Sequence, residues 1–168
     1  MKKISFISFV LLLSIVACNS SGDKSSTDTA AAAATDTTMH HMDSSAMVAP
    51  MPAIPDGAKV FFKNLKNGQT VKSPVKIEFG VEGIALDTAG AIKPASGHHH
   101  LLIDAGDSIA AGMIVPKDST HLHFGKAQSS AEVKLTPGEH TLTLQYADGI
   151  HRSYGAKLAA TIKVKVAQ

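Results

Sequence analysis

Val75-Lys76-Ile77-Glu78-Phe79-Gly80-Val81 places apolar residues at its odd positions, with Lys76 and Glu78 between them. Side chains alternate between the two faces of a strand, so this period of two predicts a strand with one buried face. Pro74 stands at its start, where a missing amide donor is tolerated. The same alternation returns in Ala131-Glu132-Val133-Lys134-Leu135. It recurs in Leu142, Leu144 and Tyr146 opposite Thr141, Thr143 and Gln145, and in Ile162, Val164 and Val166 around Lys163 and Lys165. Upstream, Val60-Phe61-Phe62 opens a first strand after the turn signal Pro55-Asp56-Gly57. Asn67-Gly68, Asp104-Ala105-Gly106-Asp107 and Pro137-Gly138 read as further turns. Glu82 to Gly97 lacks a clear period and reads as a long loop with a short strand near Ile84; no window predicts a helix. Roughly seven strands over about 110 residues predict an all-β domain, an immunoglobulin-like two-sheet antiparallel sandwich. A small barrel or jelly roll is the competing architecture.

The N-terminal third has a different composition. Lys2-Lys3 precede an apolar run from Ile4 to Val16, the charged and apolar parts of a secretory signal, too short for a comfortable membrane span. Ile15-Val16-Ala17-Cys18 resembles the lipobox of bacterial lipoproteins, which implies a leader over residues 1–17 and a lipidated Cys18 at the mature N-terminus. Asn19 follows, where the sorting rule of enteric lipoproteins reserves Asp for retention in the inner membrane, so outer-membrane placement is expected. From Asn19 to about Thr38 the chain is Ser, Thr, Asp, Ala and Gly without apolar period, which cannot bury enough surface to offset its conformational entropy. Residues 18–54 are therefore expected to form a flexible tether, and residues 55–168 the folded domain. Met39-His40-His41-Met42, followed by Met47 and Met51, gives the tether thioether and imidazole donors that suit copper. Methionines scattered through a linker are also ordinary composition drift.

A formal charge of +2 and the lack of a basic stripe exclude a nucleic-acid partner as an expectation. Cys18 is the one cysteine among 168 residues, so no intramolecular disulfide forms and no second thiol can serve as ligand or nucleophile. That leaves the histidines. Gly97-His98-His99-His100-Leu101-Leu102-Ile103-Asp104 and His121-Leu122-His123-Phe124-Gly125 each hold a His-x-His pair, whose rings share one face of a strand. If Leu101 and Ile103 face the core, His99 joins them while His98, His100, Leu102 and Asp104 point away. Burying Leu122 and Phe124 turns His121 and His123 outward too. Were the two strands neighbours, His98, His100, His121 and His123 would meet on one outer surface as an all-imidazole site for copper or zinc. Asp104 or His140 is a candidate fifth ligand or outer-shell acceptor, and His99 and His140 read more simply as caps on buried backbone groups.

Val60-Phe61-Phe62, Thr70-Val71-Lys72-Ser73-Pro74, the two histidine segments and Pro137-Gly138-Glu139-His140-Thr141-Leu142 together, in this order, resemble the bacterial domain-of-unknown-function family 4399 over nearly all of residues 56–168. Members of that family carry further His and Pro residues in the last hairpin, where this chain has Gly149-Ile150-His151-Arg152-Ser153-Tyr154 and only His151 can stand in. The expectation from residues and resemblance together is a lipid-anchored binding module of the cell envelope, facing the periplasm or the surface, that holds a copper or zinc ion. Two alternatives remain open: a metal-free structural or protein-interaction domain, and a zinc enzyme on a β-scaffold. The enzyme is disfavoured because no nucleophile elbow, phosphate loop or paired-carboxylate site is present.

Overall fold

A computed structural model describes residues 49–168. The expectations for the leader, for Cys18 and for Met39, His40, His41 and Met42 lie outside the described residues. Nine strands follow in chain order: β1 (Lys59–Phe62), β2 (Gln69–Val71), β3 (Val75–Glu82), β4 (Ala85–Leu86), β5 (Ser96–Ile103), β6 (His121–Phe124), β7 (Ser130–Val133), β8 (Gly138–Ala147) and β9 (Ala159–Val166). One turn of 3-10 helix, Ala156–Leu158, is the sole helical element among the described residues.

Two sheets face each other. The first is antiparallel with order β1-β3-β7, and the second runs β2-β9-β8-β5-β4, with β6 also on β5. The all-β sandwich read from the alternating strands is therefore the fold, and its strand order is that of an immunoglobulin-like domain. Both parallel pairings lie at the ends of the second sheet, β2 with β9 and β4 with β5. Val75, Ile77 and Phe79 enter the core while Lys76 is exposed, so the opening heptapeptide does what its period dictates. They meet Leu101, Leu142, Leu144, Tyr146, Val164 and Val166 from the opposite sheet. Removing large apolar side chains of this kind from water contributes about 1.5–3 kcal/mol each.

The second sheet is covered on its other face as well. β5 is buried from Ser96 to Leu102, although alternate residues point away from the core. The cover is the excursion between β5 and β6, which lies across β8 and β9. Thr143 Oγ1 donates to Gly106 O at 2.8 Å, Ile109 N donates to Gln145 Oε1 at 2.9 Å, and Ser153 Oγ donates to Ile109 O at 2.7 Å. Further on, Ser153 N donates to Met113 O at 2.8 Å and Val115 N to His151 O at 3.0 Å, tying the excursion to the end of the β8–β9 connection. Such a two-sided strand reads as a continuous buried run.

Candidate metal centre

His98 and His100 sit two apart on β5 and share its coreward-opposite face. The start of this strand is held firmly: Tyr154 Oη donates to Ser96 O at 2.7 Å, and Tyr146 Oη lies 2.8 Å from Gly97 O and 2.7 Å from Ala85 O. β6 runs antiparallel to β5 with His123 directly opposite His100, the cross-strand relation in which side chains touch. Gly125 makes room for the His123 ring, because a Cβ there would collide with its Cε1 and Nε2.

A fourth imidazole comes from the turn after β8. His151 has φ 72°, a left-handed conformation rare for a residue other than glycine. Asp148 imposes that turn: its Oδ1 accepts from Ile150 N at 3.1 Å and Arg152 N at 2.9 Å, its Oδ2 accepts from Arg152 Nε at 2.7 Å, and its carbonyl accepts from His151 N at 2.9 Å. Arg152 also donates to Ala49 O and Pro50 O, fixing the residues where the described chain begins.

The four rings converge. Centroid separations are 4.9 Å for His98–His100, 5.0 Å for His98–His123 and for His98–His151, 5.1 Å for His100–His123 and 4.7 Å for His123–His151. Nε2 atoms approach to 3.0 Å between His98 and His100 and to 3.2 Å between His123 and His151. Ring nitrogens of His98, His100 and His123 all lie within 4.8 Å of one another, close enough to hold a metal ion. Metal–nitrogen bonds of about 2.0–2.1 Å in a tetrahedron set donor atoms about 3.3 Å apart. The two close pairs already match that edge to within a few tenths of an ångström.

Burial favours the neutral form of His98, His100 and His123. Burial pushes His98 down to about 4, helped by the charges of His123 and His151, and pushes His100 down to about 2. Burial also lowers His123, with His151 and Lys117 adding to the effect. Neutral imidazole is the metal-binding form, so the free-base donors persist well below the ordinary histidine range near 6.5. Nδ1 of both His98 and His100 is buried without a hydrogen-bond partner, so no outer acceptor fixes the tautomer of either ring. His100, His123 and His151 line a pocket of about 210 Å³ together with Val115, Pro116 and Lys117.

The remaining histidines go elsewhere. His121 shares the His123 face of β6 and its Nδ1 is 2.8 Å from Asp118 Oδ1; its ring is not among the three whose nitrogens lie within 4.8 Å of one another, and it is His151 that packs against His123. The outer surface expected for the quartet is corrected. His98 and His100 point away from the core yet are 0% and 1% exposed: the rings of His123 and His151 pack on both, and His100 shares a pocket with Val115, Pro116 and Lys117 of the β5–β6 excursion. His99 faces the core as parity required, 5.3 Å from the Phe79 ring and 5.0 Å from that of Tyr146. It caps no backbone group, since both its ring nitrogens are unpartnered, and burial lowers it to about 4. His140 does cap a backbone group, donating from Nε2 to Thr136 O at 2.9 Å while its Nδ1 pairs with Asp104 at 2.7 Å. The Asp104 bond raises the His140 pKa, and Asp104 is thereby committed to the far end of β5 and does not reach the cluster. The left-handed turn and the cover carried no periodic signal; the isolated His151 after Asp148-Gly149 was the one sequence trace of the fourth donor.

Residues 77–167, which hold all four clustered histidines, match the family described as domain of unknown function (DUF4399). No curated protein and no solved structure matches the chain.

Proposed function

The chain belongs to the DUF4399 family, whose description names no chemistry, and we propose that it is a transition-metal-binding module built on His98, His100, His123 and His151. Convergence of three ring nitrogens within 4.8 Å, with His151 against them, is the observation that carries this reading. Neutral nitrogen donors without a thiolate suit Cu(II) and Zn(II), and for a given nitrogen site affinity favours Cu(II). The lipobox-like Ile15-Val16-Ala17-Cys18 supports placing the module on a lipid anchor in the cell envelope, outer membrane favoured, where the domain meets metal outside the cytosol. Met39, His40, His41 and Met42 would offer that anchor segment a second, softer set of copper donors.

Calorimetry of untagged protein with Cu(II) and with Zn(II) tests the assignment. One saturable site is expected in the wild type, lost in a His123→Ala, His151→Ala double variant and retained within about twofold in His121→Ala, whose ring is not among the three with nitrogens within 4.8 Å of one another. Equal binding by wild type and the double variant would refute it. The Nε2 contacts at 3.0 and 3.2 Å favour a second reading, a hydrogen-bonded cluster without metal, which a metal-free result from elemental analysis and titration would establish. Fatty-acid labelling tests the anchor: incorporation that survives Cys18→Ala removes it.

A further inference from the structure

We propose that the site takes up its metal together with a small monoanion, of halide to carboxylate size, seated in the pocket between the histidines and Lys117. The proposal rests on the metal reading above. Imidazole donors bring no charge, so a divalent ion among them introduces two positive charges into a largely covered site. The nearby carboxylates are already committed: Asp148 to Arg152 at 2.7 Å, Asp118 to His121 at 2.8 Å and Asp104 to His140 at 2.7 Å. None of them lines the pocket. Compensation must therefore arrive from solution.

The pocket is shaped for that. His98 is shut off behind the cluster, whereas His100, His123 and His151 present one wall of the cavity of about 210 Å³. Val115, Pro116 and Lys117 form the other, pinned to the hairpin of His151 by the Val115 N–His151 O bond of 3.0 Å. A metal at the cluster would thus have a closed inner side and an open position toward Lys117. Among the described residues Lys117 makes no salt bridge, and an ammonium at the mouth of a cationic site is a second attraction for an anion and none for a cation.

Azide provides the probe, because its coordination to Cu(II) produces a charge-transfer absorption. The full chain loaded with one equivalent of Cu(II) in buffer free of coordinating anions is titrated with sodium azide, in the wild type and in Lys117→Met and Lys117→Arg. The expected result is a saturable band at one azide per copper, with azide affinity about tenfold weaker in Lys117→Met and largely restored in Lys117→Arg, while Cu(II) affinity changes by less than about threefold. Copper that binds without responding to azide, or an azide affinity indifferent to Lys117→Met, overturns the anion site and leaves the metal reading standing. Failure to bind copper or zinc at all overturns both.

Discussion

Histidines with a carboxylate beside them and histidines without one behave as different residues in this molecule. His140 pairs with Asp104 at 2.7 Å, and His121 with Asp118 at 2.8 Å. The first has its proton affinity raised by that bond, and the second shares a face of β6 with His123 without joining the three close rings. His98, His100 and His123 have no acid partner; they are held below the ordinary histidine range, with their nitrogens turned on one another. Asp104 favours the charged form of His140, which fastens backbone, whereas burial without a carboxylate favours the free base of His98, His100 and His123, the form available to a Lewis acid.

Acid should separate the two classes most strongly. His98 and His100 take up protons near 6.5 when unfolded but only near 4 and 2 when folded, so the unfolded state binds more protons as pH falls below 6.5. Stability is therefore lost on acidification, at about 1.4 kcal/mol for each pKa unit at each ring, up to about 7 kcal/mol by pH 4, a large part of the stability of an ordinary domain. Circular dichroism of the metal-free protein from pH 7 to 4 reads this; a flat profile would mean that the rings accept protons inside the fold. His140 runs the other way: its pKa is raised, so its contribution is present below 6.5 and fades as pH climbs through the folded value.

His100→Ala removes one of the three close donors and should weaken Cu(II) or Zn(II) by more than the about 10–100-fold that an outer partner costs. The same variant should soften the acid transition, since one buried free base is gone. Gly125→Ala sets a methyl against the His123 ring and Ala89, and is expected to weaken metal about tenfold in calorimetry with little change in fold. Affinity at the wild-type level would show that the ring position is immaterial. Asp104→Asn should have the smallest effect. The His140 pKa, followed by NMR, should drop toward 6.5, stability below pH 6 should fall by no more than about 1 kcal/mol, and metal affinity should stay the same.

Much of the fold was legible because a half-buried strand writes its geometry into a period of two. Val75 to Val81 and Leu142 to Tyr146 enter the core as their alternation requires, and the parity that sent His98 and His100 away from Leu101 holds. The loop read from Glu82 to Gly97 does contain a short strand beside Ile84, but its parallel pairing with β5 left no periodic mark. Of the site, His98, His100 and His123 were legible as members of His-x-His pairs, while His121, identical by that test, bonds an aspartate three residues upstream and lies outside the three close rings.

By itself the sequence determined which residues form strands and which face each side chain takes, because both depend on neighbours one or two positions away. Only the tertiary structure decided that the outward face of β5 is covered, that a turn fixed by Asp148 delivers His151, and that Asp118 claims His121. The cover joins distant segments, while the Asp148 and Asp118 bonds are local contacts without a periodic signal; burial and partnership, which set the protonation and reactivity of an imidazole, come from both kinds.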